Sequence, residues 1–531
     1  VGIVVAIIVG CGPKWGNGTA TGKTGSQSTA TAHTAATVDV QLPSYYMDNM
    51  VFQRDQPIVV KGNVSSTESN PIDVSKLSAT LTQGNTSESV KAKVAKNGSF
   101  TCTLSAQKAS LNPYSLQVQY AGKTVLKLAK VYMGDVFVAA GQSNMELNYV
   151  QYYENATYNF GNGLITTGDL PKPLVDDNVK FVIANHDVED TDFPLSAVNQ
   201  SADAWLTADS TNSLHLSYLT QQFALQLRAK HPNVPVGIIQ TAWGGTPIRR
   251  HIRGGDIYAN HTAPLKDFHV AGVLWYQGCD DAMNFSTATE SQMTALINQY
   301  RSVFGRKDLP FLYVQLARWP NYQYTQNVRE AQRTTLDNAN LQDRSNVAMT
   351  VSLDTDKGTS ALIHPLGKDI LGARMAAQYL AMEDGTTVPN GPLIERARHT
   401  ANGAIALSFR NGTASGLKAM QPNYSKTASA IAPNYKSAPK ATPLSGISNI
   451  AAPTTTALQG FEVANYSGQW QAVNATIRGN QVLLTAADGS ILNDLNAMSQ
   501  VRYLFSGNPK CASILYNDFN LPASPFITIV E

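Results

Sequence analysis

One serine, Ser143, lies two residues after an apolar run that ends in a glycine. The run from Val136 to Ala140 is typical of a buried strand, and Gly141 permits a tight turn at its carboxyl end. Parallel sheets hold their functional sites at the carboxyl ends of strands. A serine hydroxyl becomes a good nucleophile only when a base removes its proton. The pattern therefore makes Ser143 a candidate nucleophile, which would need a histidine elsewhere in the chain as its base.

Of the nine histidines, His364 is the preferred general base. It precedes Pro365 and follows, after a loop, the apolar run 347–351, so it lies on irregular chain where a catalytic group can face a cleft. Three other histidines are weaker alternatives: His251, His261 and His269.

Strand-like and helix-like segments alternate around these two residues. Apolar runs are found at 136–139, 236–239, 270–275, 311–314 and 347–351, and the clearest helical patterns span 214–230 and 291–303. Such alternation predicts an α/β fold in which a parallel sheet is covered on both faces.

Short alternating runs with turn signals flank this central region on both sides, which is typical of β domains. The composition predicts a flexible linker at 12–42 that is rich in glycine, serine, threonine and alanine. The remaining expected boundaries are an N-terminal β domain at 43–130, a hydrolase-like domain at 131–388, and a C-terminal β domain at 389–531 with a low-complexity insertion at 413–456.

The first ten residues are apolar or glycine and lead into Cys11. This run is too short to span a bilayer. It resembles a secretory signal that ends in a bacterial lipobox, in which the cysteine is lipidated. We therefore expect residues 1–11 to be such a signal, Cys11 to be lipidated, and the protein to be extracellular or at the cell surface. A plain signal peptide is the alternative.

Composition and charge narrow the classes of partner. The 531 residues carry 40 basic and 38 acidic side chains, a net charge of +2, without a dense basic stripe. This argues against nucleic-acid binding. The four cysteines are not spaced as metal ligands, so no metal site is expected. Membrane contact is expected only through the N-terminal anchor.

Several blocks in one order resemble the sialate O-acetylesterase family, which belongs to the SGNH hydrolases. They include Gly141-Gln142-Ser143-Asn144, Trp243-Gly244-Gly245-Thr246-Pro247 and Ile363-His364-Pro365. Further blocks lie at 48–54, 275–278, 314–317, 329–332, 501–503 and 521–526, so the resemblance covers nearly all of 43–531.

The resemblance implies an SGNH-type three-layer hydrolase domain, flanked by N-terminal and C-terminal β-sandwich-like domains. It also implies a serine esterase that removes O-acetyl groups from carbohydrates through an acetyl-serine, without a cofactor. The oxyanion would be held by the N–H groups of Ser143, Gly244 and Gly245. Substrate contacts would come from Gln142, Asn144 and Gln277. Separately, the carboxylate of sialic acid would be bound by an arginine, for which Arg249 is preferred; Arg249 and Arg250 lie where the family differs, and at least one of them is expected to be only a solvated surface residue.

Two departures from the family pattern affect the site. The chain has Cys279 where the family has a glutamate, and Asp281 where an asparagine would donate to the oxyanion. The family acid that orients the histidine lies two or three residues before it, where this chain has Ala361 and Leu362. Asp354 is then the preferred acid, Asp356 is an alternative, and a Ser-His dyad is a third arrangement.

Four other functions stay open on the sequence alone. One is an esterase for acetylated xylan or another glycan, which needs no clamp for a carboxylate. Another is a carbohydrate-binding surface protein whose active site has decayed. A lipase or a peptidase would use the same Ser-His pair, but a lipase would prefer long acyl chains.

Overall fold

The computed structural model describes residues 38–69, 71–156, 160–189, 192–428, 450–487 and 494–531. Within these residues the chain forms 25 strands and eight α-helices. The helices are α1 (Ser143–Glu146), α2 (Tyr149–Glu154), α3 (Ala197–Ala202), α4 (Tyr218–Lys230), α5 (Cys279–Met283), α6 (Thr289–Val303), α7 (Thr325–Thr335) and α8 (Lys368–Asp384).

The strands fall into three groups along the chain. The first group is β1 (Val38–Gln41), β2 (Val51–Gln53), β3 (Ile58–Ser66), β4 (Leu77–Gln83), β5 (Thr86–Lys91), β6 (Lys93–Val94), β7 (Ser99–Leu104) and β8 (Ser110–Tyr120). The central group is β9 (Lys123–Gly141), β10 (Asp176–Ile183), β11 (Leu206–Ala208), β12 (Val236–Gln240), β13 (Gly272–Tyr276), β14 (Phe311–Val314) and β15 (Val347–Thr350). The last group is β16 (Ile394–His399), β17 (Ile405–Phe409), β18 (Lys418–Pro422), β19 (Ala451–Pro453), β20 (Phe461–Asn465), β21 (Trp470–Arg478), β22 (Gln481–Ala486), β23 (Met498–Tyr503), β24 (Ile514–Tyr516) and β25 (Phe526–Ile529).

A largely parallel sheet forms the middle of the molecule, in the order β11-β10-β12-β9-β13-β14-β15. All neighbours in it are parallel except β10 and β11. β9 is central, since Val138 is paired with Ile239 on one side and with Val273 on the other. The prediction of an α/β fold is confirmed. The five predicted strands and both predicted helices are present; the strand 311–314 has the predicted ends, and the others have shifted ends.

Side chains of β9 alternate between two apolar cores. Val136 and Val138 share one core with residues of α6, whereas Phe137 and Ala139 share the other with residues of α4 and α8. Because these side chains are at most 1% exposed, helices cover both faces of the sheet. This burial explains why the strand has no polar alternation in its second half.

β9 is 19 residues long and belongs to two parts of the sheet. Its first half pairs antiparallel with β8, and its second half is the central parallel strand. The predicted boundary between 130 and 131 therefore falls inside one continuous strand. The change of hydrophobic pattern near residue 130 therefore does not coincide with the end of a strand.

The predicted linker and the predicted low-complexity insertion both contain strands. The end of the linker 12–42 forms β1, which pairs with β3, because Val38 and Val40 alternate with polar residues and are buried. The insertion 413–456 contains β18 and β19, which pair with each other. The predictions for 1–11, including lipidation of Cys11, lie outside the described residues.

Three further sheets are present in the described residues. The sheet β1-β3-β7-β6 lies at the N-terminal end, and the sheets β16-β17-β22-β21-β20-β23-β25 and β19-β18-β24 form the C-terminal part. Cys102 and Cys511 are buried free thiols and are not bonded to each other. In the described part of the chain no helix is long and apolar enough to cross a bilayer.

Candidate functional site

Ser143 is the first residue of α1, directly beyond the carboxyl end of β9. Gly141 has φ +128°, and a Cβ there would lie 2.2 Å from the carbonyl oxygen of Tyr276. Only glycine fits this close approach between β9 and β13. The Gln142 N–H donates to the same carbonyl at 3.0 Å. The turn is therefore held rigidly, and Ser143 remains 7% exposed.

Gln142 ties this turn to the loop after β13. Its Nε2 donates to Oδ2 of Asp280 at 2.7 Å, and its Oε1 accepts the N–H of Gly278 at 3.0 Å. The side chain is 2% exposed. We predicted a substrate contact for Gln142, but in the structure both the NH2 group and the oxygen of its amide form hydrogen bonds within the protein.

Asn144 links the nucleophile turn to the loop of His364. Its Nδ2 donates to the Ile363 carbonyl at 3.0 Å, and its Oδ1 accepts from Nζ of Lys368 at 2.7 Å. Lys368 also donates to the Pro365 carbonyl at 2.8 Å. Asn144 was predicted to bind substrate. In the structure its amide is hydrogen-bonded to Ile363, the residue before His364, and to Lys368.

His364 is 3% exposed. Burial and the nearby charge of Lys368 lower the pKa of His364 to about 3, and burial lowers the pKa of Lys368 to about 7. The imidazole is therefore neutral near pH 7, which is the form that accepts a proton.

The carboxylates of Asp354 and Asp356 have partners other than the predicted one. Asp354 accepts from Nη1 and Nη2 of Arg374 at 2.8 and 2.6 Å and from the hydroxyl of Tyr516 at 2.6 Å. Asp356 accepts from Arg318 at 2.8 and 3.0 Å. A fully buried carboxylate needs a paired cation, and Arg374 supplies it for Asp354. The role of Asp354 as the acid that orients His364 stays a prediction.

Gly244 lies beside the nucleophile turn, since the Trp243 N–H donates to the Gly141 carbonyl at 3.0 Å. The Gly244 N–H, however, donates to Oε2 of Glu146 at 2.7 Å. Our prediction that it holds the oxyanion is therefore wrong for the observed conformation, because a carboxylate already occupies this donor. Gly245 has φ +70°, and its role stays a prediction.

Glu146 also pairs with a histidine that the sequence analysis missed. Its Oε1 lies 2.7 Å from Nε2 of His186, and the His186 ring stacks on Trp243 with centroids 4.7 Å apart and planes 8° apart. Arg250 lies 4.7 Å over the same indole. The position of His186, three residues beyond the carboxyl end of β10, was the signal that could have found it.

Gln277 and Arg249, both predicted to bind substrate, differ in accessibility. Gln277 is buried and donates from Nε2 to the Thr246 carbonyl at 3.1 Å and to Oδ2 of Asp281 at 2.5 Å. Arg249 is exposed, and its charge counteracts the burial that raises the pKa of Asp280 to about 6. Arg249 is therefore accessible to a ligand, and its charge acts on Asp280, which Gln142 contacts.

Two of the alternative histidines, His251 and His261, are hydrogen-bonded to other parts of the fold. Nε2 of His251 lies 2.7 Å from the Thr246 hydroxyl, and Nε2 of His261 lies 2.8 Å from the Asn185 carbonyl. Burial is the main cause that lowers the pKa of both, to about 3 and about 4. His269 is half-buried. These contacts favour His364 over His251 and His261.

The Glu146–His186 pair predicts a pH-dependent contribution to stability. Burial lowers the pKa of His186, but the charge of Glu146 and the hydrogen bond to it outweigh this effect and raise the pKa. The contribution is therefore complete below the unfolded-state pKa of about 6.5 and is lost as pH rises through the raised value. We expect Glu146→Gln to lower the urea midpoint most near pH 5 and least near pH 9. An effect that is the same at both pH values would contradict this.

The comparisons with known proteins find similarity to carbohydrate esterases. Residues 133–381 match the family model of carbohydrate esterases described as sialic acid-specific acetylesterases. Sialate O-acetylesterases of Homo sapiens and Pongo abelii are each 24% identical over 431 residues, which cover 71% of this chain and 78% of each relative. A crystal structure of a carbohydrate acetylesterase from Xanthomonas citri has a TM-score of 0.68 and 27% identity, covering 92% of this chain and 99% of that one.

The matched region contains the nucleophile turn, the Trp243–Gly245 loop and the His364 loop, in the order that the family resemblance requires. Residues 133–381 are therefore similar to the sialate O-acetylesterase family of carbohydrate esterases, and the protein is a carboxylic ester hydrolase.

Proposed function

We propose that this protein hydrolyses O-acetyl esters of carbohydrates through an acetyl-serine formed on Ser143. The observation that carries this proposal is the hydrogen bond of Asn144 to the Ile363 carbonyl, which joins the residue after Ser143 to the residue before His364. A nucleophile at a strand end and a neutral histidine are thereby held on two adjacent loops. The parallel sheet covered on both faces supports an SGNH-type three-layer domain, with the flanking β regions as sandwich-like partners.

In the proposed mechanism, Oγ of Ser143 attacks the acetyl carbonyl carbon while His364 takes the hydroxyl proton. The ester C–O bond then breaks, and the sugar hydroxyl leaves with the proton from His364. Water, deprotonated by His364, hydrolyses the acetyl-serine and releases acetate.

The oxyanion would be stabilised by backbone donors near the nucleophile turn. Ser143 begins α1, and the first N–H groups of a helix have no acceptor within the helix. We assign the oxyanion contact to the N–H groups of Ser143 and Gly245. Gly244 is left out because its N–H is bonded to Glu146.

For the substrate we propose O-acetylated sialic acid, with an acetylated xylan or other glycan as the alternative. Sialic acid has a carboxylate, which an arginine binds through two parallel hydrogen bonds. Arg249 is exposed at the loop beside the nucleophile, whereas Arg250 is paired with Asp256. The relatives named as sialate O-acetylesterases support the same choice.

Acetate release from O-acetylated sialic acid and from a neutral acetylated xylose oligomer tests this proposal. We expect Arg249→Met to raise KM about 10-fold or more for the sialic acid substrate, because a charged hydrogen-bonded pair contributes roughly 1.5–3 kcal/mol. KM for the neutral substrate should not change. Arg253→Met, at a second exposed arginine, is the matched control.

The outcomes separate the candidate functions. Equal effects of Arg249→Met on both substrates would contradict recognition of a carboxylate. Faster hydrolysis of the xylose oligomer would favour the glycan alternative. Sugar binding without any acetate release by the folded protein would favour a decayed, carbohydrate-binding member of the family.

We further propose that the protein works at the bacterial cell surface, attached through lipidated Cys11. The apolar run before this cysteine supports the proposal. Mass spectrometry of the N-terminal peptide from the native source would detect the lipid.

A further inference from the structure

A small, mostly apolar cavity lies beside the two loops that carry Ser143 and His364. Its walls include Asn144, Cys279, Ala282, Leu316, Tyr322 and Ile363. The cavity has a volume of about 10 Å³, which is room for about one group the size of a water molecule or a methyl. Such a space is too small for a sugar ring.

The position of the cavity relates it to the reaction centre. Asn144 and Ile363, which are hydrogen-bonded to each other, are the chain neighbours of Ser143 and His364. Sγ of Cys279, which also lines the cavity, lies 3.7 Å from Nδ2 of Asn144. The residues that line the cavity therefore include the chain neighbours of both reacting side chains.

The walls are rigid enough to limit the size of the group that enters. Leu316 is 3% exposed, and its N–H donates to Oε1 of Gln332 at 2.9 Å. Ala282 is fully buried in α5. Tyr322 packs edge-on against Trp319, with ring centroids 5.6 Å apart. A larger acyl chain would have to displace packed side chains, which costs stability in a close-packed interior.

We propose that this cavity receives the methyl group of the acetyl-serine, and that Leu316 and Ala282 set the upper limit on acyl length. The inference rests on the proposed function, since it concerns the acyl group bound to Ser143. It assigns acyl specificity to residues that come from the loop after β14 and from α5, not from the nucleophile turn.

The test compares kcat/KM for 4-nitrophenyl acetate, propionate and butyrate. An additional methylene in a fitted pocket changes the rate by roughly 10- to 200-fold. We expect Leu316→Ala to raise the butyrate-to-acetate ratio by about 10-fold or more. Ala282→Val should lower the rate with acetate and with the longer esters alike. Each ratio is measured within one variant, so it does not depend on how much of that variant is folded.

Leu312→Ala is the matched control, because Leu312 is an equally buried leucine of β14 that does not line the cavity. It should destabilise the protein similarly and leave the ratio unchanged. If Leu316→Ala also leaves the ratio unchanged while acetate is hydrolysed, the role of the cavity is overturned and the proposed function stands. If folded wild-type protein hydrolyses none of the three esters, both are overturned.

Discussion

Ser143→Ala is expected to lower kcat for acetyl ester hydrolysis by about 10⁴- to 10⁶-fold. The substitution removes only the hydroxyl oxygen, and alanine is the best helix former, so α1 and its contacts should persist. The loss would therefore reflect chemistry and not folding. Steady-state acetate release, together with an unchanged thermal unfolding midpoint, provides the measurement.

His364→Gln should cause a loss of similar size, and the double variant should lose little more than either single variant. The effects of substituting two residues that act as one unit are strongly non-additive, because neither residue accelerates the reaction without the other. Retention of a tenth of the activity by Ser143→Ala would contradict its role as nucleophile. Additive losses in the double variant would contradict a Ser143–His364 pair.

Asp354→Ala is expected to lower the free energy of unfolding by about 3–5 kcal/mol, because it leaves the buried Arg374 guanidinium without its counter-ion. Asp354 is completely buried and accepts two hydrogen bonds from Arg374 and one from Tyr516. Urea unfolding measures the loss. Arg374→Met should partly rescue it, since the double variant has no unpaired charge.

Two further variants decide between a structural and a catalytic role for Asp354. A structural role predicts that the folded fraction of Asp354→Asn retains most of its kcat. An acid that orients the base would instead lower kcat by about 10⁴-fold with little change in stability. Tyr516→Phe is the milder control, because it removes one hydrogen bond to the carboxylate and leaves the ion pair intact.

Much of the scaffold could be predicted because its signals are local. The run 136–139 and Gly141 indicated a buried strand that ends in a tight turn, and the structure has both in β9 and α1. Strands and helices follow from periodicity within about 15 residues, which the chain itself displays. Boundaries were less predictable, since one strand, β9, serves two parts of a sheet.

Partners across the fold could not be predicted in the same way. Asp354 is 20 residues from Arg374 and 162 from Tyr516, and Glu146 is 98 residues from Gly244. Hydrogen bonds and ion pairs depend on distances of about 3 Å, and no local pattern encodes such distances between remote residues. The carboxylates near His364 could therefore be recognised as candidates, but their actual partners could not.

The amino-acid sequence by itself determined the α/β class, the presentation of Ser143 at a strand end and the resemblance to a known family, because these depend on short patterns and their order. Only the tertiary structure decided that Gln142 and Asn144 form hydrogen bonds to the neighbouring loops, that Glu146 accepts a hydrogen bond from the N–H of Gly244, and that Arg374 forms an ion pair with Asp354. The physical reason is that burial removes water from these groups, so each must bond to whichever partner the fold brings within reach.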